Sequence, residues 1–217
     1  MARLDLDYTS AFPVLDPLTF PTNEGSYCVR DRIIADTRDS NNLKIVTGYA
    51  GMEELIEFIS EYAFNQEIEI VIGHEPSMVM RKSAKRTPEK LADEMREYWL
   101  NRGFSPRTNA SVLEAIRAIE SGRVRTKIHT ERFLHAKATV TETAATFGSS
   151  NFSRSGLEHS RELNGRHLYG SREFVMINDF VKGCWDRSEN FDDRFLELLK
   201  ELQLYITWEE ALARACA

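Results

Sequence analysis

A strand, a helix and a second strand follow one another between residues 43 and 74, and this order restricts the fold more than any other feature. Leu43-Lys44-Ile45-Val46-Thr47 is a short apolar run that stops at Gly48. Residues 51–63, GMEELIEFISEYA, put Leu55, Ile56, Ile59 and Ala63 at helical spacing. Ile68-Glu69-Ile70-Val71-Ile72 is a second buried strand. Strand, helix and strand in this order form a βαβ unit, which predicts a mixed or parallel sheet.

The rest of the chain fits an α/β domain. Residues 1–30 contain Pro13, Pro17, Pro21 and Gly25 with little periodicity, and are expected to wrap the surface as an arm. Residues 29–37 predict a short helix. Pro88 is placed to start a helix that Gly103 closes, and a second helix is expected from near Asn109 to Gly122, so that 77–122 forms a basic helical region. Strand-like runs follow in VRTKIH, FLHAKATVT and ATFGSSNF. Helical spacing returns over 171–188 and 191–204, where Phe180, Trp185, Phe191 and Phe195 read as core. The last segment, 205–217, breaks off in mid-pattern and invites the expectation of a linker or further region in a longer natural protein. The predicted architecture is one domain over 1–217, a mixed central sheet flanked by helices.

Charge is unevenly distributed. The 217 residues carry a net charge of -6, yet residues 81–137 hold 14 basic and 7 acidic side chains. Residues 1–80 hold 5 basic and 14 acidic ones. An acidic average therefore hides a basic middle, which phosphate binding requires. Within it, Arg81, Lys82, Lys85 and Arg86 are read as a phosphate track, with a solvated loop as the alternative. Cys28, Cys184 and Cys216 lie far apart and show neither zinc nor disulfide spacing, which fits a reducing, cytoplasmic setting. No apolar run approaches the ~20 residues of a membrane span, so no membrane partner is expected.

The stretch 133–164, FLHAKATVTETAATFGSSNFSRSGLEHSRELN, carries the chemistry. His135 and Lys137 lie two apart on a predicted strand and so share a face. A lysine neutralises phosphate oxygens while an imidazole attacks or shuttles a proton. Gly148 lets the backbone approach a ligand, and Ser149, Ser150 and Asn151 offer donors to phosphate oxygens. Each piece alone has a structural explanation. A lone histidine on a strand is usually a satisfied core residue, and a GSSN turn is ordinary loop chemistry. An inward lysine is harder to explain that way, because buried lysines are rare unless paired.

Together these residues resemble the signature of the phospholipase D superfamily: H-x-K, four residues, Asp, then G-S-x-N, G-L and a glutamate. His135, Lys137, Gly148, Ser149, Asn151, Gly156, Leu157 and Glu162 match it. The chain looks closest to single-motif nucleases, namely restriction endonucleases of this type and the nuclease domains ahead of Swi/Snf-type helicases. It departs from the pattern in three places. Glu142 stands at the aspartate position, the hairpin before Gly148 is one residue shorter than in the smallest family nucleases, and Ser160 replaces a frequent asparagine.

The resemblance implies a metal-independent phosphodiesterase with no cofactor. One histidine attacks phosphorus to form a phosphohistidine, and a second protonates the leaving oxygen and then activates water. With one H-x-K motif per chain, the simplest second histidine is His135 of a two-fold related copy, which implies a homodimer across the active site. Two copies of Lys137 and Asn151 would clamp the phosphate, Ser149 would add a hydrogen bond, and Glu162 would orient the imidazole. DNA is the favoured substrate, with RNA and lipid phosphodiesters as competitors. A helicase or recognition partner is the context in which an inactive binding module would be the competing assignment. His129 is placed near the site; His74, His159 and His167 have no motif behind them.

Overall fold

The computed structural model describes residues 15–63, 66–73, 87, 89–90, 92–93, 96–97, 106–131 and 133–204. Arg81, Lys82, Lys85, Arg86, most of the segment after Pro88, and 205–217 lie outside the described residues. In chain order the elements are α1 (Val29–Arg38), β1 (Asn42–Thr47), α2 (Met52–Tyr62), β2 (Glu67–Ile72), α3 (Pro106–Glu120), β3 (Val124–Ile128), β4 (Lys137–Val140), β5 (Ala144–Gly148), a π-helical turn (Ser155–His159), β6 (Asn164–Leu168), α4 (Arg172–Asp186), β7 (Glu189–Asn190) and α5 (Asp192–Leu204). The βαβ expectation holds, because β1 and β2 are parallel.

Among the described residues the sheet has seven strands in the order β6-β5-β4-β1-β2-β3-β7. β1, β2 and β3 are mutually parallel, while β4, β5, β6 and β7 each run antiparallel to a neighbour. Strand alternation divides the core in two. Leu43, Ile45, Ile68, Ile70, Val124 and Ile128 meet α1, α2, α3 and α5 on one face. Val46, Val71, Ala138, Val140 and Ala145 meet Phe174, Val181 and Cys184 of α4 on the other. Leu55, Ile56 and Ile59 of α2 are almost fully buried, and each such side chain contributes about 1.5–3 kcal/mol.

Several boundaries differ from the sequence expectation. α3 begins at Pro106 rather than near Asn109, since a proline supplies a helical φ and no first-turn donor. β6 escapes the pattern because Asn164-Gly165-Arg166-His167-Leu168 has no apolar alternation. It is an edge strand carrying polar side chains. Phe191 and Phe195 are core and Trp185 is partly buried, but Phe180 is half exposed, because α4 turns that side away from the sheet. Cys28 and Cys184 are free thiols.

The edge is secured by charge. Asp36 of α1 is 5% exposed and accepts two hydrogen bonds from Arg166 of β6, Nε at 2.8 Å and Nη2 at 2.7 Å. Arg32 adds a third at 2.7 Å. Residues 15–28 cross the same region. Arg166 N–H donates to Thr19 O, Asn164 Nδ2 donates to Pro21 O, and Asn23 Nδ2 donates to Gly156 O and Ser160 O across the π turn. Arg166→Met should leave Asp36 buried with a single cation and lower unfolding free energy by about 3 kcal/mol in urea titration.

Candidate active site

The register gathers the motif residues at one end of the sheet. Thr47, at the C-terminal end of β1, faces Lys137, the first residue of β4. Gly148, at the end of β5, faces Asn164, the first residue of β6. In open α/β sheets ligands bind outside the carboxyl ends of the parallel strands.

His135 is not on a strand, contrary to the sequence expectation. Ladder pairing with β1 begins only at Lys137, and residues 133–136 pass over the ends of β1 and β2. Two glycines make room for that crossing. A Cβ on Gly73 would stand 2.3 Å from Leu134 O, and one on Gly48 would stand 3.2 Å from His135 Cα. The His135 side chain is exposed and stacks on Phe133, with ring centroids 5.5 Å apart and planes inclined by 15°. Lys137 is buried, and its Nζ donates to His135 O at 2.9 Å. The ammonium group is thus fixed beside the histidine backbone.

The GSSN turn is built from β5, β6 and the end of β1. Ser149 Oγ donates to a Glu162 carboxylate oxygen and accepts from Leu163 N at 3.0 Å. Ser149 and Glu162 are therefore joined to each other. Ser150 Oγ accepts from Asn164 Nδ2 at 2.9 Å. Asn151 Oδ1 accepts from Tyr49 N–H at 3.3 Å. Gly148 has a reason the sequence did not reveal: a Cβ there would lie 2.4 Å from Leu163 O and 2.6 Å from Asn164 Cα. Close passage of β6, not a ligand alone, calls for glycine.

Two of the three signature departures, Glu142 and Ser160, have structural accounts. Glu142 sits in the turn between β4 and β5, at the end of the sheet away from Lys137. Its carboxylate accepts from Asn41 N, Asn41 Nδ2 and Asn42 Nδ2 at 3.1–3.2 Å, tying that turn to the start of β1. Ser160 closes the π turn, donating its N–H to Ser155 O at 2.6 Å. Gly156, inside that turn, packs on Asn151: a Cβ would stand 2.5 Å from Asn151 O. π turns recur at functional sites.

The other histidines fall into separate roles. His129 follows β3, is buried, and shares a hydrogen bond with Ser188 at 3.2 Å. His167 stacks on Phe147, and His159 is exposed beside Glu158. His74 lies outside the described residues. Among the described residues no three His, Cys, Asp or Glu side chains cluster to hold a metal ion. Sequence reasoning gave no role to Asn23, Asn164 or the Thr47 hydroxyl. Each is an ordinary polar residue with at least one partner distant in sequence.

Two substitutions separate scaffold from site. Glu142→Ala should cost about 1 kcal/mol in chemical denaturation and leave the Ser149–Glu162 end of the sheet undisturbed in NMR spectra. Gly148→Ala should cost about 1–3 kcal/mol and shift the resonances of Ser149 and Glu162, because β6 must move and carry Glu162 away from Ser149.

No protein-family model and no curated protein sequence matches the chain. Solved structures do. Phosphatidylserine synthase of Haemophilus influenzae superposes with a TM-score of 0.51 at 13% identity, over 91% of this chain and 46% of the synthase. The chain thus spans about half the length of that protein. Nuc of Salmonella typhimurium, described as a phospholipase D family member, gives 0.49 at 11% identity over 79% of this chain and 94% of Nuc. NucT of Helicobacter pylori gives 0.45 at 10% identity over 74% of this chain and 89% of NucT. The likeness is one of fold: the strands and helices of this chain are arranged as in the phosphatidylserine synthase structure.

Proposed function

We propose that the chain is a phosphodiesterase that cleaves DNA through a phosphohistidine on His135, without a metal ion. The observation that carries the reading is the convergence of His135, Lys137 and Asn151 at one end of the sheet. An imidazole on the surface can attack phosphorus, and an ammonium and an amide donor at the same end of the sheet can meet non-bridging oxygens. In the first step the imidazole forms a P–N bond as the P–O bond to the leaving group breaks, and a second imidazole donates a proton to that oxygen. In the second step water, deprotonated by that imidazole, displaces His135.

The second imidazole is His135 of a second copy in a two-fold dimer. A cleft of about 350 Å³ supports this. It is lined by Ala136, Lys137, Ala138, Phe147, Gly148, Met176, Ile177 and Phe180. Phe147, Val175, Met176 and Phe180 are exposed around it, and contiguous apolar surface of this kind marks an interaction site. Ser149 and Glu162 act as a joined pair, and Gly148 and Ser150 shape the turn that receives the phosphate. Arg81, Lys82, Lys85 and Arg86 are assigned to the flanking DNA phosphates. A helicase or restriction partner would supply sequence recognition. No helix among the described residues is long and apolar enough to cross a membrane. A lipid phosphodiester is the second reading, favoured by the same apolar cleft.

The purified chain should cut single-stranded or duplex DNA in excess EDTA, and His135→Ala should abolish the cut. Absence of cleavage by the wild type, in EDTA and in magnesium, would sink autonomous nuclease activity. Hydrolysis of phosphatidylcholine vesicles in its place would establish the lipid reading. A chain that cleaves as a monomer would overturn the dimer and with it the source assigned to the second imidazole.

A further inference from the structure

We propose that Thr47 is a positioning residue that fixes which end of the Asn151 amide faces the substrate. This rests on the phosphodiesterase reading, in which Asn151 meets a phosphate oxygen. Thr47 is the last residue of β1 and is 1% exposed. Its hydroxyl donates to Tyr49 O at 2.5 Å and accepts from Phe152 N–H at 3.1 Å. One side chain therefore holds the residues on both sides of the Tyr49–Asn151 contact.

That contact has only one chemically sensible direction. Tyr49 N–H lies 3.3 Å from the Asn151 amide, and a backbone N–H can only donate. The atom facing it must be the amide oxygen. The Nδ2 group is thereby turned the other way, and among the described residues it has no acceptor. The non-bridging oxygens of a phosphodiester accept and do not donate, so the orientation is the one such a substrate requires. A flipped amide would set two donors against each other at Tyr49 and an oxygen against phosphate. The Ala50–Phe152 bridge and the bond from Gly51 N–H to Phe152 O, at 2.8 Å, hold the same two segments together. Thr47 is the side chain that joins them on the strand side.

Valine matches threonine in shape and lacks the hydroxyl, so Thr47→Val would leave Tyr49 O and Phe152 N–H without this partner. Thr47→Ser keeps it. The test is orthophosphate titration of the full, ¹⁵N-labelled chain by NMR, following the Asn151 side-chain amide, assigned by comparison with Asn151→Asp. In the wild type both Nδ2 protons should move on addition of phosphate. Thr47→Val should displace the Asn151 resonance before any phosphate is added and weaken phosphate binding by about fivefold or more. Thr47→Ser should restore both within about twofold. Asn151→Ala should weaken binding as much as Thr47→Val, and the double variant should lose nothing further.

A folded Thr47→Val with an unmoved Asn151 resonance would overturn the proposal, as would a loss that adds fully to that of Asn151→Ala. Should Thr47→Val not fold, the wild type decides: phosphate binding without movement of the Nδ2 protons overturns the assignment. A wild type that binds no orthophosphate would count against the phosphodiesterase reading. The unliganded Asn151 resonance in Thr47→Val would still decide the role of Thr47.

Discussion

The antiparallel pairing of β4 with β1 is the contact on which the rest of the site depends. It joins the parallel half of the sheet, β1 to β3, to the antiparallel half, β4 to β6. Because Thr47 faces Lys137, the end of one half coincides with the beginning of the other. The lysine then enters beside the GSSN turn. A register slip of one residue would turn Lys137 to the opposite face of the sheet and expose the apolar set of β4. Burial of Ala138 and Val140 against α4 resists that slip, so the packing of an apparently remote helix fixes the face on which Lys137 lies.

The two faces of the sheet are built differently. Four helices bury Leu43, Ile45, Ile68 and Ile70, which makes this side a conventional core. On the other side α4 is the helix that packs on the strands, and Phe147, Met176 and Phe180 stay exposed. Glu142 belongs with the supporting framework, since its carboxylate closes the turn at the other end of β4. Its side-chain bonds run to Asn41 and Asn42.

The sequence was legible where burial imposes a period. β1, α2 and β2 could be read because Leu43, Ile45, Leu55, Ile59, Ile68 and Ile70 must all leave water, and the spacing of those residues differs between helix and strand. β6 was illegible because its side chains serve hydrogen bonds and ion pairs. Nothing in Arg166 announces a partner at Asp36. Lys137 and Asn151 were readable as site candidates by their motif, and His135 too, although its place off the strand was not. That place depends on where β1 ends, and on Gly48 and Gly73 giving way beneath the crossing segment. The Thr47 hydroxyl left no mark at all, since threonine is an ordinary strand residue.

Asn23 adds a dimension of time. Its side chain holds Gly156 O and Ser160 O, partners 133 and 137 positions further along the chain. On a ribosome Asn23 emerges first and must wait until most of the domain has been made. Closing so long a loop costs chain entropy before either bond forms, and non-local contacts of this kind assemble slowly. The turn behind Asn151 therefore cannot gain its support from Asn23 until residue 160 has been made. A nascent chain would possess the strands β1 and β2 well before it possessed this turn, and β6 would still have to join the sheet after it.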